Sequence, residues 1–164
     1  MVSESLFDEP SPYKYLLDTS AAISQRDNRE KHPRAINVTL WQNIDQLIRS
    51  KVIVSCSEVL EEIGQKDDEI KKWFKDVGCL CLDIDEDVQH QVVAILEKHP
   101  NLVNFAKNKS SGDAFVIATA MRWKLTVITE ENKESSVKIP MVCKALHQDC
   151  IDINDLCQRK GWTF

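Results

Sequence analysis

Short apolar runs of strand length alternate along this chain with longer stretches whose apolar residues recur every third or fourth position, and few folds admit that alternation. Runs of that length read as buried strands, and the three-and-four spacing reads as helices with one buried face. The run YKYLLD at 13–18 predicts a first strand that ends in Asp-Thr-Ser and enters a functional loop. Over 37–50, Val38, Trp41, Ile44, Leu47 and Ile48 form the stripe of an amphipathic helix, and 52–55 is a second strand. The region 55–57 caps a following helix that turns Val59, Leu60 and Ile63 inward. A helix over 67–76 buries Ile70, Trp73 and Phe74, and CLCLDI at 79–84 is a short strand or an extended connection. Helical spacing returns over 87–98 and stops at His99-Pro100, since the residue before proline disfavours the helical region. A strongly apolar helix at 113–123 leads to the strand LTVIT at 125–129; 141–143 starts a last strand, and 154–160 is a closing helix. Strands separated by helices cannot pair as hairpins, so the expected fold is α/β, with a parallel sheet covered on both faces.

The length of 164 residues suits one domain, expected over 13–164 behind a flexible segment at 1–12 where Ser, Glu, Asp and Pro dominate. No run approaches the roughly 18 apolar residues of a membrane span, and the start lacks a basic stretch followed by an apolar one. No membrane association and a cytoplasmic location are expected. The six cysteines are then reduced buried thiols rather than a disulfide framework. Cys143, Cys150 and Cys157, with His147 between the first two, lack the close pairs typical of structural zinc. The net charge of -5 argues against a protein that coats nucleic acid nonspecifically. It leaves room for a nuclease, because a carboxylate site is itself acidic until a cation neutralises it. There is no Gly-rich phosphate loop and no G-x-S-x-G, which removes nucleotide triphosphatase and esterase readings.

In an open parallel sheet, ligands sit beyond the carboxyl ends of the strands. Four acids fall at such positions: Asp18 at the end of the first strand, Glu62 in the helix after the second, Asp113 at the start of the helix before the third, and Glu131 two residues after Thr129. Each has a plain structural alternative. Asp18 and Asp113 suit helix starts, where a carboxylate gains about 0.3–1 kcal/mol from the helix dipole, Glu62 belongs to an acidic surface pair with Glu61, and Glu131 to a turn. Their joint placement favours a shared site.

These same segments carry a resemblance. YLLDTSA at 15–21, VLEEI at 59–63, SGDAFVIATA at 111–120 and TVITEE at 126–131 resemble the four acidic motifs of PIN-domain proteins, in that family's order. KIPMVC at 138–143 and the closing GWTF are similar to a subgroup of bacterial PIN-like proteins of otherwise unassigned function. The resemblance implies a three-layer α/β/α sandwich and a magnesium- or manganese-dependent endoribonuclease that hydrolyses single-stranded RNA. It further implies the toxin of a bacterial toxin–antitoxin pair, with a separate antitoxin protein as partner and a homodimer as assembly. Asp18 and Asp113 would ligate the metal directly, and Glu62 and Glu131 through water, since magnesium keeps several waters and takes one or two carboxylates. Thr19, Ser20 and Thr129 would orient water or phosphate, or serve as turn and cap residues. Arg26, Arg29, Lys31 and Arg34 after the first motif, with Lys107 and Lys109 before the third, are candidate RNA contacts or simply solvated charges. Two positions depart from the family pattern: Gly112 stands where Ala is commoner, and the fourth acid is Glu131 rather than Asp. A catalytically inactive PIN-like module that binds protein or RNA is the alternative. A haloacid-type phosphatase is disfavoured, because Ser20 stands where it needs a second Asp.

Overall fold

The computed structural model describes residues 11–27, 29–102 and 112–164. Strand β1 (Tyr15–Leu17) passes into a short helix α1 (Thr19–Ile23), and α2 (Val38–Arg49) returns the chain to β2 (Ile53–Cys56). Then come α3 (Ser57–Lys66), α4 (Asp68–Asp76), β3 (Cys81–Leu82) and α5 (Glu86–Lys98), followed by a single 3-10 turn at Pro100–Leu102. The remaining elements are α6 (Gly112–Trp123), β4 (Thr126–Ile128), α7 (Ile139–Ala145), β5 (Cys150–Ile151) and α8 (Ile153–Lys160). The five strands form one parallel sheet in the order β3-β2-β1-β4-β5. With helices on either side it is the three-layer α/β sandwich expected from the sequence.

The strand order positions any site. From β1 the chain adds β2 and β3 on one side, then crosses to lay β4 and β5 on the other. The reversal lies between β1 and β4, and connections leaving those two strands in opposite directions open a crevice at their carboxyl ends. Leu17 is in register with Ile128, so Asp18 and Thr129 emerge side by side at that crevice, and the Asp18 amide donates to the Ile128 carbonyl at 2.9 Å.

The core is continuous across the sheet: Leu16, Leu17, Ile53 and Ile128 from the strands meet Trp41, Ile44, Ile48, Ile63, Phe74, Ile95 and Ile117 from the helices, all below 2 % exposed. α6 is buried nearly all round, from Asp113 and Ala114 to Ala120, which is the mark of an inner helix. Among the described residues no helix is long and apolar enough to cross a membrane. All six cysteines are free, with Cys56 and Cys143 fully buried.

Two local expectations need correction. Residues 141–143 do not start a strand; they lie in α7, where Pro140 occupies the first turn and Ile139, Val142 and Cys143 face inward. A run such as IPMVC is as apolar as a strand, and Pro in the first turn suits a helix because its missing N–H has no partner to lose there. The last strand is instead the two-residue β5. Likewise Asp-Thr-Ser does not open a loop but a five-residue helix, α1, with Asp18 at its N-cap in extended geometry. The boundaries of α2, β2 and β4 follow the sequence expectation to within one or two residues.

Three helix-to-strand turns place a non-glycine residue in the left-handed region. Lys51, Lys124 and His147 each adopt a left-handed backbone, with φ of 64°, 57° and 56°, at the turns from α2 to β2, α6 to β4 and α7 to β5. Gly78, just past α4 at φ 68°, and Gly161, ending α8 at φ 66°, fill the usual glycine role.

Candidate active site at the carboxyl edge of the sheet

Asp18 is 3 % exposed at the β1–β4 reversal, and its carboxylate is held on one side only. Oδ2 accepts from Ser20 Oγ at 2.8 Å and from Thr129 Oγ1 at 3.0 Å, whereas Oδ1 accepts no hydrogen bond among the described residues. The two hydroxyls lie 3.0 Å apart and are themselves held, because the Glu130 amide donates to Ser20 Oγ at 2.9 Å and the Glu131 amide to Thr129 Oγ1 at 3.2 Å. A chain of two amides, two hydroxyls and one carboxylate thus ties the end of β4 to the end of β1.

Burial pushes the Asp18 carboxyl up to about 7, helped by the negative charges of Glu131 and, less strongly, Glu62, against hydrogen bonds from Ser20 and Thr129 that lower it. Two of the other acids named from sequence are therefore near enough to be felt by Asp18. Glu131 lies at the crevice with Oε2 accepting the Ile139 amide at 2.9 Å, so one oxygen caps α7 and the other remains available. Glu62, in the second turn of α3, pairs with Lys66 at 3.3 Å on its outer side. Asp113 is 7 % exposed in the first turn of α6. That helix packs on β1, β2 and β4 and delivers its last turn to the amino end of β4, so its first turn lies toward the carboxyl edge. Twelve helical residues span about 18 Å, enough to cross the sheet.

The donors gathered here are all oxygens, the chemistry hard divalent cations prefer. Among the described residues no three His, Cys, Asp or Glu side chains close into a ready metal-holding group. Asp18 keeps one oxygen open to the crevice, and Glu131 and Glu62 are close enough for their charges to act on it. Mutual repulsion of carboxylates acts against their closing further without a cation between them.

The remaining residues named from sequence divide. Thr19 is sealed inside with its hydroxyl unbonded among the described residues, so it does not face the crevice, whereas Ser20 and Thr129 act on Asp18 itself. Arg34 is a structural clamp: its guanidinium grips Asp45 through two 3.0 Å bonds, reaches Gln25 at 2.9 Å and lies over Trp41 and Trp73. Arg26 pairs with Glu30 and stands 3.7 Å from Asp67. Lys31 reaches across to the Glu130 carbonyl at 3.1 Å, which brings the basic segment against the site, and Arg29 stays exposed at φ 59°. Lys107 and Lys109 lie outside the described residues, as do residues 1–10 of the expected flexible segment. Sequence reasoning missed Glu130, His32 and Asp45. The adjacent Glu130 and Glu131 gave no spacing signal to separate them, and Asp45 looked like an ordinary polar position on α2.

One family model matches residues 15–164, a span that contains β1, β5 and all four acids. The chain belongs to the family described as Domain of unknown function (DUF4411). No curated protein matches this DUF4411 chain. Among solved structures it is similar to the crystal structure of PAE2754 from Pyrobaculum aerophilum, at 15% identity, over 97% of each chain and with a TM-score of 0.56. At that identity the likeness is one of fold.

Proposed function

We propose that this DUF4411 chain is a PIN-type ribonuclease that hydrolyses phosphodiester bonds of single-stranded RNA with a magnesium or manganese ion. The observation that carries the reading is Asp18: buried at the β1–β4 reversal, with Oδ2 locked by two hydroxyls, Oδ1 open, and the charges of Glu131 and Glu62 at hand. A carboxyl raised by burial together with specific charged neighbours in a crevice marks a candidate for catalysis. When bound, the ion supplies Lewis-acid activation of water and neutralises charge developing on the phosphate. Asp18 would hold the ion through the oxygen, Oδ1, that its hydroxyl partners leave open. Glu131 and Glu62 add negative charge that would keep a cation at the crevice, and Asp113, buried in the first turn of α6, is the fourth acid assigned to the site in this reading. The Lys31 segment sets positive charge at the rim, where an RNA backbone passes.

A second reading keeps the fold without the reaction: Glu62 is drawn to Lys66 and Glu131 to the α7 amide, as befits an inactive binding module. One experiment separates them. Purified protein is incubated with single-stranded RNA and manganese, with Asp18→Asn and chelated controls. Cleavage that needs both metal and Asp18 supports the enzyme. Wild-type cleavage that survives thorough chelation removes the proposed mechanism, and no cleavage with manganese or magnesium leaves the binding module. An antitoxin partner and a homodimer belong to the same proposal, to be sought by co-purification once cleavage is established.

A further inference from the structure

The acid next to the candidate ligand Glu131 has a different task. A hydroxyl owns one proton and can both accept and donate. Ser20 Oγ accepts from the Glu130 amide and Thr129 Oγ1 from the Glu131 amide. Amides cannot accept in return, so each hydroxyl proton has the other hydroxyl, 3.0 Å away, or Asp18 Oδ2, 2.8 and 3.0 Å away, as its acceptor, and the carboxylate oxygen, the stronger acceptor, draws both. The polarity of the network, and with it the freedom of Oδ1, therefore depends on where these two amides sit.

Glu130 fixes them. Its side chain is 7 % exposed and accepts from His32 Nε2 at 3.0 Å and from the Ile153 amide at the start of α8 at 3.1 Å, with Lys31 Nζ at 3.5 Å. Its carbonyl also accepts from Lys31 at 3.1 Å. One residue thus fastens the end of β4 to α8 on one side and to the basic segment on the other, while its amide holds Ser20. Without that anchorage the hydroxyl protons can turn to each other or to solvent.

We infer that Glu130 is a positioning residue that acts through the Glu130 and Glu131 amides, Ser20 and Thr129 to hold Asp18 in its productive orientation. The catalytic part of this inference rests on the ribonuclease reading; the positional part does not. The test compares wild type, Glu130→Ala and Glu130→Gln by amide hydrogen exchange and by RNA cleavage with manganese. In Glu130→Ala the Glu130 and Glu131 amides exchange about tenfold faster while those of Leu16 and Leu17 keep their protection. The same variant loses about tenfold in kcat with KM unchanged, and Glu130→Gln, which keeps the acceptor oxygen, restores both. In a Ser20→Ala background, adding Glu130→Ala costs less than it does in wild type, because one of the two links it acts through is already cut. If Glu130→Ala does not fold, His32→Ala removes one of the bonds alone and gives a smaller acceleration of the same two amides. Unchanged exchange in a folded variant, or a loss that Gln does not restore, overturns the inference. The expected exchange pattern in a wild type that cleaves no RNA overturns the ribonuclease reading and leaves the positioning intact.

Discussion

Exchanging Asp18 for Asn removes a charge without altering shape, and the structure gives the sign and size of the effect. The carboxyl is raised from 3.8 to about 7 by burial first and by Glu131 and Glu62 after it. In the unfolded chain the same group ionises near its ordinary value, so from about pH 4 to 7 the unfolded state gives up a proton that the folded state keeps. A group of this kind stabilises the fold fully at low pH and loses that contribution as pH rises toward 7. At ~1.4 kcal/mol per tenfold change in proton affinity, the loss is on the order of 4 kcal/mol. Asn can present its carbonyl to Ser20 and Thr129 and its amide on the open side, so Asp18→Asn keeps both hydrogen bonds without the cost of ionisation. The difference in unfolding free energy between Asp18→Asn and wild type, from urea titrations at each half pH step, is expected to grow from near zero at pH 4 to several kcal/mol at pH 8. Manganese at pH 8 should close much of that gap by stabilising the wild type alone. A gap that stays flat from pH 4 to 8 would refute both the burial of charge at Asp18 and the reasoning built on it.

Asp113→Asn is expected to abolish RNA cleavage and to reduce the manganese-induced rise in melting temperature, read by calorimetry; a full shift in the variant would remove Asp113 from the site. Asp45→Ala strands Arg34 and the Trp73 indole N–H, which donates to Asp45 at 2.8 Å, and should cost about 2–3 kcal/mol in denaturant unfolding, between exposed and fully buried pairs. Lys124→Gly relieves a left-handed backbone at the α6–β4 turn and should stabilise by up to about 1 kcal/mol, since the strain relieved exceeds the added freedom of the unfolded chain. A lower melting temperature would show that the Lys124 side chain contributes more than its backbone costs.

Most of the fold was legible because burial repeats along the chain. The stripe of Trp41, Ile44 and Ile48 on α2 and the run Tyr15–Leu17 on β1 each announce the face they bury, and strands separated by helices must pair in parallel. Where the pattern was silent it misled: Ile139, Val142 and Cys143 are apolar enough for either structure, and only their packing beneath α6 and beside β5 makes them helical.

For the site, the sequence by itself placed Asp18, Asp113 and Glu131 at or beside element ends, because those ends are marked by where apolar spacing stops. The tertiary structure decided what those acids do. That Asp18 meets Ser20 and Thr129, that Glu131 feels it, and that Glu130 faces away to His32 and Ile153 all depend on β4 lying beside β1 after a crossing of more than a hundred residues. Hydrogen-bond partners at that separation leave no periodic trace in a sequence, since their pairing is set by sheet order and register rather than by spacing along the chain.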